Sequence, residues 1–437
     1  MGPSSISYGH FNVSLVTRSF ESRTADWLSV HEATEKIIAG VTPLRVERVL
    51  LSDSLGRALA EDLVADATLP PWNNSGMDGF AVRAKDIKGA SKESPIRLVV
   101  TRHVRAGDAP GPEVGQGEAV RIMTGAPVPS LTDSVVRVED TDAESDSGVV
   151  QVFDDRDAGA NVRPAGQDMR PGERLLGLGH TIAPGAVGVL ASAGRGRVLV
   201  HSRPQVAVLT TGNELRGPDQ FEDVRSGAGI PDSNGPMTSA MVAAAGGSVM
   251  QLGPSADDET DLRNWINQAE DCDALITIGG ASMGDADLVK RVLDGMGYRS
   301  GFWRVRMRPG SPVGFGWLPR GDRLQPVFSL PGNPTSAFVT FELLVRPFLL
   351  RLGGHRDTDR RRIVCRTEEV IHSPAQLTYF LRVQLSGTSE NAGVRLTGPQ
   401  GSGLVSGLGR ADGLAIIPED LSRVQEGEGV TVMLIEG

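Results

Sequence analysis

Between Pro204 and Leu352, short uninterrupted apolar runs alternate with stretches of helical spacing, and this alternation limits the fold more than any other feature. Val206–Thr210, Ser248–Leu252, Ala274–Ile278, Gly301–Met307 and Pro326–Leu330 have the length of strands. Met237–Ala245, Asp258–Ala269, Asp287–Leu293 and Ser336–Leu352 have helical periodicity, the first stopped by Gly246-Gly247. Strands apolar throughout must be covered on both faces. The order therefore predicts an α/β domain, 204–352, with a mostly parallel sheet between helix layers.

The flanking segments read differently. Ser29 and Glu32 have the spacing of a capping box, followed by an apolar stripe of Ala33, Ile37, Ile38 and Val41. Leu55 to Ala67 reads as further helix and a polar turn. Residues 70–155 carry short β-type runs (Ile96–Val100, Ala119–Met123, Ser134–Val138, Val149–Phe153) between Gly, Pro and Asp turns, a β-rich module. Residues 156–203, with a short helix near Ala186–Ala193 and a strand Arg197–Val200, are expected to rejoin residues 26–69 as one discontinuous, elongated domain. Residues 353–437 hold no long helix, and their alternating runs (Arg362–Thr367, Tyr379–Leu385, Val394–Leu396, Leu414–Ile417, Val430–Ile435) predict a C-terminal β-barrel. Residues 1–25, Ser-rich and polar, read as a flexible tail. The expected class is multidomain α/β plus β.

Composition excludes several functions. A net charge of −10 and only 5% aromatic residues count against nucleic acid, which rewards basic surfaces and stacking platforms. Two cysteines, Cys272 and Cys365, are too few for a disulfide framework or a thiolate metal site and suit a reducing cytoplasm. No run of 18 apolar residues encodes a membrane span. None of the seven histidines forms a helical metal pair, and no phosphate-loop or dinucleotide fingerprint occurs at a strand–helix junction.

Ligands of such sheets sit at the carboxyl ends of the strands. Four unusual loops leave those ends: Thr211-Gly212-Asn213-Glu214-Leu215, the Gly279–Asp287 loop, Arg308-Pro309-Gly310-Ser311-Pro312, and Pro331-Gly332-Asn333-Pro334. Glycines let main-chain amides face an anion, and helix N-termini add partial positive charge. Glu214, Asp257, Asp285 and Asp287 beside them are hard oxygen ligands suited to Mg²⁺. Asp287 serves equally well as a helix N-cap, and for Asp257 a capping role is the stronger local reading. Arg304 and Arg308, placed on one face of the expected 301–307 strand and its end, are either solvated charges or phosphate clamps. In the β-rich module, Asp78 stands between Gly76 and Gly79, which reads first as an Asx turn.

Taken together, Ser75–Ala81, Ile122–Ala126, Val162–Asp168, Thr211–Leu215, Asp232-Ser233-Asn234, the Gly279–Asp287 loop and Leu330–Pro334 resemble the molybdopterin molybdotransferase family, the MoeA proteins and the E domain of gephyrin. The resemblance runs from about Leu28 to the C-terminus. It implies a four-domain homodimer that takes adenylyl-molybdopterin and molybdate, inserts molybdenum and releases AMP with Mg²⁺ assistance. It implies catalytic or metal roles for Asp78, Glu214, Asp257 and Asp287. Substrate contacts are implied for Thr124, Arg163, Asp168, Gly279, Gly280, Ser282, Gly284, Arg304, Arg308, Pro331, Gly332, Asn333 and Pro334, and for Arg382 and Ser402 in the terminal domain. The family pattern has lysines where this chain has Arg304, Arg308 and Ser311, and tyrosine where it has Phe80. A molybdopterin adenylyltransferase and molybdoenzyme acceptors are the implied partners. A gephyrin-like scaffold and a tungstate-inserting paralogue are the alternatives.

Overall fold

The computed structural model describes residues 26–279, 288–374, 376–387 and 392–435. Its central sheet has six strands in the order Ser248–Ser255, Gln205–Thr211, Ala274–Ile278, Arg323–Leu330, Gly314–Arg320 and Arg299–Phe302. The first four are parallel, with Val208 opposite Ile276 and Leu275 opposite Val327. Successive side chains of a strand point to opposite faces, and both faces are buried here. Val206 and Val208 join one core with Phe328, Phe341 and Phe348, while Ala207 and Leu209 join another with Leu262, Ile266 and Leu293. The helix Pro334–Thr340 continues through a π turn, Phe341–Val345, into Arg346–Leu352.

One expected strand divides. Gly301–Met307 is not continuous: the sheet strand ends at Phe302, and Met307–Arg308 pairs instead with Thr378 and Tyr379 of the C-terminal domain. Arg306 holds the segment away from the sheet, donating to the Trp27 carbonyl and the Glu419 carboxylate. Its place beside Arg323–Leu330 is taken by Gly314–Arg320, an antiparallel hairpin partner closed at Gly321-Asp322. The sequence signal was available, since a two-residue loop with glycine between alternating residues marks a hairpin.

The 55–67 segment is not helical. Leu59 and Leu63 are spaced like a helix face, but their backbone groups bond outward: the Leu59 amide donates to the His180 carbonyl at 3.0 Å and the Ala65 amide to Glu173 at 2.8 Å. Val46–Leu50 pairs with Arg197–His201, and Leu63–Val64 with Arg174–Leu176. Leu59, Leu63, Ile182, Leu190, Val198 and Val200 thus form one core drawn from two distant parts of the chain. The N-terminal helix Val30–Ile38 has the expected capping box, yet Ala33 and Ile37 bury in the core of the α/β unit rather than against those strands.

The β-rich module is a five-stranded sheet ordered Ser134–Arg137, Gly79–Val82, Glu118–Ile122, Ile96–Val104 and Val149–Val152. In the C-terminal region, Thr378–Ser386, Gly393–Leu396, Arg362–Thr367, Gly429–Leu434 and Gly413–Ile417 close into a barrel, the last pairing back with the first.

His355, just past the long helix, meets the elongated strands, its Nδ1 2.7 Å from Thr181 Oγ1. Burial pushes the imidazole down to about 4, helped by the cations Arg346 and Arg57. Its folded value lies below its unfolded one, so its contribution is complete above pH ~6.5 and is lost as pH falls toward 4, about 3 kcal/mol in all. His355→Gln is expected to flatten the fall of stability between pH 6.5 and 4, read from denaturant midpoints. An unchanged slope would contradict this.

Candidate functional site

A cleft of 470 Å³ opens at the carboxyl ends of the central strands, lined by residues of the α/β unit alone. Gln205–Thr211 ends there in Gly212 and Glu214, Ala274–Ile278 in Gly279, and Arg323–Leu330 in Pro331-Gly332-Asn333. Two of the glycines are required. Gly212 has φ +143°, and a Cβ on it would lie 2.7 Å from a Glu214 carboxylate oxygen. Gly279 has φ +97°, and a Cβ there would lie 2.8 Å from the Thr211 carbonyl. A side chain at Gly212 would collide with the Glu214 carboxylate, and one at Gly279 with Thr211.

Asp257 is not a helix cap. Asp258 takes that role, its carboxylate accepting from the amides of Thr260 and Asp261 at 2.9 Å each. Asp257 instead pairs reciprocally with Asn213: its amide donates to Asn213 Oδ1 at 3.1 Å, and its Oδ2 accepts from the Asn213 amide at 3.3 Å. Two loops leaving neighbouring strands are tied together, and the carboxylates of Glu214 and Asp257 come to one cleft.

On the opposite wall Pro334 is the first helical residue and Asn333 precedes it as N-cap. Asn333 Nδ2 donates to Ser402 Oγ at 3.1 Å, and the Thr335 amide donates to the Ser402 carbonyl at 3.0 Å. Ser402 therefore reaches the rim of the cleft from the C-terminal domain.

Arg382 does not. It is fully buried, and its guanidinium donates to Thr335 Oγ1 and to the carbonyls of Leu404 (2.7 Å), Pro399 (2.9 Å) and Gly401 (3.2 Å). Its donors are turned to the 399–404 segment, so it fastens Ser402 to the helix start rather than meeting a ligand. Arg382→Ala is expected to cost about 3 kcal/mol by leaving those carbonyls unpaired around a cavity. Arg382→Lys is expected to recover little of it, because an ammonium cannot match the planar fork. Thermal unfolding of the two variants checks this, and a lysine variant as stable as wild type would refute it.

Arg304 and Arg308 also lie off the cleft wall. The Arg304 guanidinium stacks 5.1 Å from the Trp27 ring, and Arg308 sits exposed beside the barrel strand. Ser311, where the family has lysine, donates its hydroxyl to the Met307 carbonyl and closes the turn behind Pro312, which does line the cleft. Gly280, Ser282, Gly284, Asp285 and Asp287 lie outside the described residues.

A second group lies in and beside the β-rich module. Asp78 is not a local Asx turn: its Oδ1 accepts from the Thr124 amide at 2.7 Å and the Thr124 hydroxyl at 2.9 Å, joining two loops. Those two donors, first the amide, hold its carboxyl below the ordinary range. The Phe80 ring carries the Arg121 guanidinium 4.7 Å from its centroid, a contact that needs no tyrosine hydroxyl. Val162–Arg163 pairs with Asn74–Ser75, bringing Arg163 over Gly76. Arg163 and Asp168 share a 450 Å³ depression with Pro70, Asn74 and Gln167. Among the described residues, no three His, Cys, Asp or Glu side chains cluster to hold a metal ion.

The sequence reading did not place Asn213 or Asn234 in the site. Asn213 orders Asp257, and Asn234 donates through Nδ2 to the Gly332 carbonyl at 2.7 Å, pinning the Pro331–Pro334 loop. The signal for Asn234 was its place in the Asp232-Ser233-Asn234 motif. The buried Asp232 carboxylate takes Thr210 Oγ1 and the Gly235 amide, both at 2.9 Å.

Three family models cover nearly all of the described chain. The MoeA N-terminal region (domain I and II) matches residues 28–194, a probable molybdopterin binding domain residues 207–351, and the MoeA C-terminal region (domain IV) residues 365–435. Molybdopterin molybdenumtransferase 2 of Mycobacterium tuberculosis H37Rv is 34% identical over 92% of this chain and 98% of its own. The Staphylococcus aureus (strain COL) molybdopterin molybdenumtransferase is 32% identical over 94% of this chain and 96% of its own. A crystal structure of the molybdopterin biosynthesis moeA protein from Pyrococcus horikoshii OT3 superposes with a TM-score of 0.77 at 26% identity, covering 93% of this chain and 100% of that one. With that likeness along almost its whole length, this chain belongs to the molybdopterin molybdenumtransferase (MoeA) family.

Proposed function

We propose that this enzyme inserts molybdenum from molybdate into adenylyl-molybdopterin and releases AMP. The observation that carries the reading is the cleft at the strand ends, where glycine turns present main chain beside two carboxylates, Glu214 and Asp257. The reaction gathers several anions: pterin phosphate, the AMP phosphate and molybdate. The amides of Gly212 and Gly279 are taken by the Ser255 and Leu330 carbonyls, so partial positive charge comes from the helix start at Pro334, without an exposed cation that would have to be desolvated.

The donor set fits Mg²⁺. Glu214 and Asp257 offer only oxygen, and Mg²⁺ is commonly held by one or two carboxylates with waters and substrate phosphates completing the shell. Asp287 is the third residue we assign to it. Bound there, the ion would offset phosphate charge as the anhydride cleaves. Asn213 keeps Asp257 turned toward the cleft, and Asn333 with Ser402 closes the opposite rim.

Asp78, Thr124, Arg163 and Asp168 do not line this cleft. We assign them to the same reaction through a homodimer in which the β-rich module of one protomer faces the α/β unit of its partner. An ionised Asp78, fixed by Thr124, would there orient a donor-bearing substrate group, and Arg163 an anionic one. Gly279, Gly280, Ser282, Gly284, Pro331, Gly332, Asn333 and Pro334 are assigned to substrate, Arg304 and Arg308 to long-range attraction of anions. We place the enzyme in the cytoplasm, receiving substrate from a molybdopterin adenylyltransferase and passing product to molybdoenzymes. Among the described residues no helix is long and apolar enough to cross a membrane. AMP release from adenylyl-molybdopterin, with molybdate and tungstate titrated in parallel, tests the reading.

A further inference from the structure

Asn234 opens the helix Asn234–Ala244 and lines the cleft, yet its side chain is only half used. The residue is 8% exposed. Its Nδ2 donates to the Gly332 carbonyl at 2.7 Å, which fixes the orientation of the amide, because the flipped rotamer would set two acceptors against each other. Its Oδ1 is then a buried acceptor with no hydrogen-bond partner among the described residues. Buried polar atoms are paired in nearly all folded proteins, and an orphan in a ligand cleft asks for a ligand donor.

We propose that Asn234 is a substrate-contacting, specificity-determining residue whose Oδ1 accepts a hydrogen bond from a neutral N–H or O–H group of the substrate. This rests on the molybdotransferase reading. An acceptor repels phosphate and molybdate oxygens, so Asn234 marks the part of the cleft that takes a donor-bearing portion of the ligand. In adenylyl-molybdopterin three portions carry such donors: the pterin with its amino and ring N–H groups, the ribose hydroxyls, and the adenine amino group. The same amide braces the Pro331–Pro334 loop through Nδ2, so binding of the donor and order of the anion-facing turn are joined in one side chain.

The test pairs ligand changes with a protein change. Calorimetric affinities are measured for AMP against 2′,3′-dideoxy-AMP, for AMP against its 6-deamino counterpart, and for a pterin against its 2-deamino counterpart, on wild type and Asn234→Ala. Asn234→Leu, similar in size and without an acceptor, is run beside them should the alanine variant not fold. In wild type, removing the correct donor is expected to weaken binding about tenfold, the scale of one hydrogen bond to a buried partner. In the variants both members of that pair are expected to bind alike. The pair that shows the coupling identifies the donor. If each pair keeps its wild-type ratio in the variants, Asn234 is only a brace and the proposal is overturned. If wild type binds neither AMP nor the pterin, the molybdotransferase reading itself fails, a result distinct from lost coupling.

Discussion

Asp257→Ala is expected to slow AMP release by at least about 100-fold while leaving the fold intact, the scale seen when a preorganised charge is removed from a reacting centre. Asp257 is exposed and caps nothing; its loss removes only the bond its Oδ2 accepts from the Asn213 amide, while its own amide still donates to Asn213 Oδ1. Asp258→Ala is the matched control. Its carboxylate satisfies two amides at the start of Glu259–Gln268, so alanine there costs about 1 kcal/mol of stability and should leave turnover nearly unchanged. Turnover and thermal midpoint measured on both variants separate the roles of two adjacent aspartates. The opposite pattern, with Asp258 essential and Asp257 dispensable, would return Asp257 to the surface.

The second large effect concerns the proposed dimer. Asp78→Ala and Asp257→Ala are each expected to be nearly inactive. Mixed and allowed to exchange subunits, they should recover about a quarter of wild-type activity. A two-fold dimer has two equivalent sites. If each site takes Asp78 from one protomer and Asp257 from the other, a heterodimer carries both lesions in one site and none in the other. Random exchange makes half the dimers hetero, and half their sites are intact. Differently tagged chains verify the exchange. If exchange is shown and nothing recovers, Asp78 and Asp257 do not meet across a dimer in this way.

Much of this architecture was legible because its physics is local. Apolar runs such as Ala274–Ile278 can only be strands covered on both faces, and that strand is buried from end to end. The capping box at Ser29 and Glu32 needs four residues to specify, and both of its bonds are present. Where partners lie far off in sequence, the reading failed. Leu59 and Leu63 have helical spacing, but the amides of Leu59 and Ala65 are answered by residues more than a hundred positions away. The 301–307 run was broken by Arg306, whose acceptors come from both ends of the chain.

The site shows the same division. Glu214 and Asp257 were identifiable as oxygen ligands near strand ends, and the structure brings them to one cleft. That Asp258 rather than Asp257 caps the helix depends on a one-residue difference in where the helix starts. Arg382 entered as a substrate contact through the family resemblance alone, and only the folded chain shows carbonyls surrounding it. Asn234 needed the reverse inference, from a partner that is missing.

The central claim is tested most directly by following AMP with the purified chain and adenylyl-molybdopterin as molybdate is added. The account predicts release that depends on molybdate, approaches one AMP per adenylyl-molybdopterin consumed, and is lost in Asp257→Ala. A folded wild-type protein that releases no AMP, or releases it at the same rate without any oxyanion and equally in the variant, would contradict it.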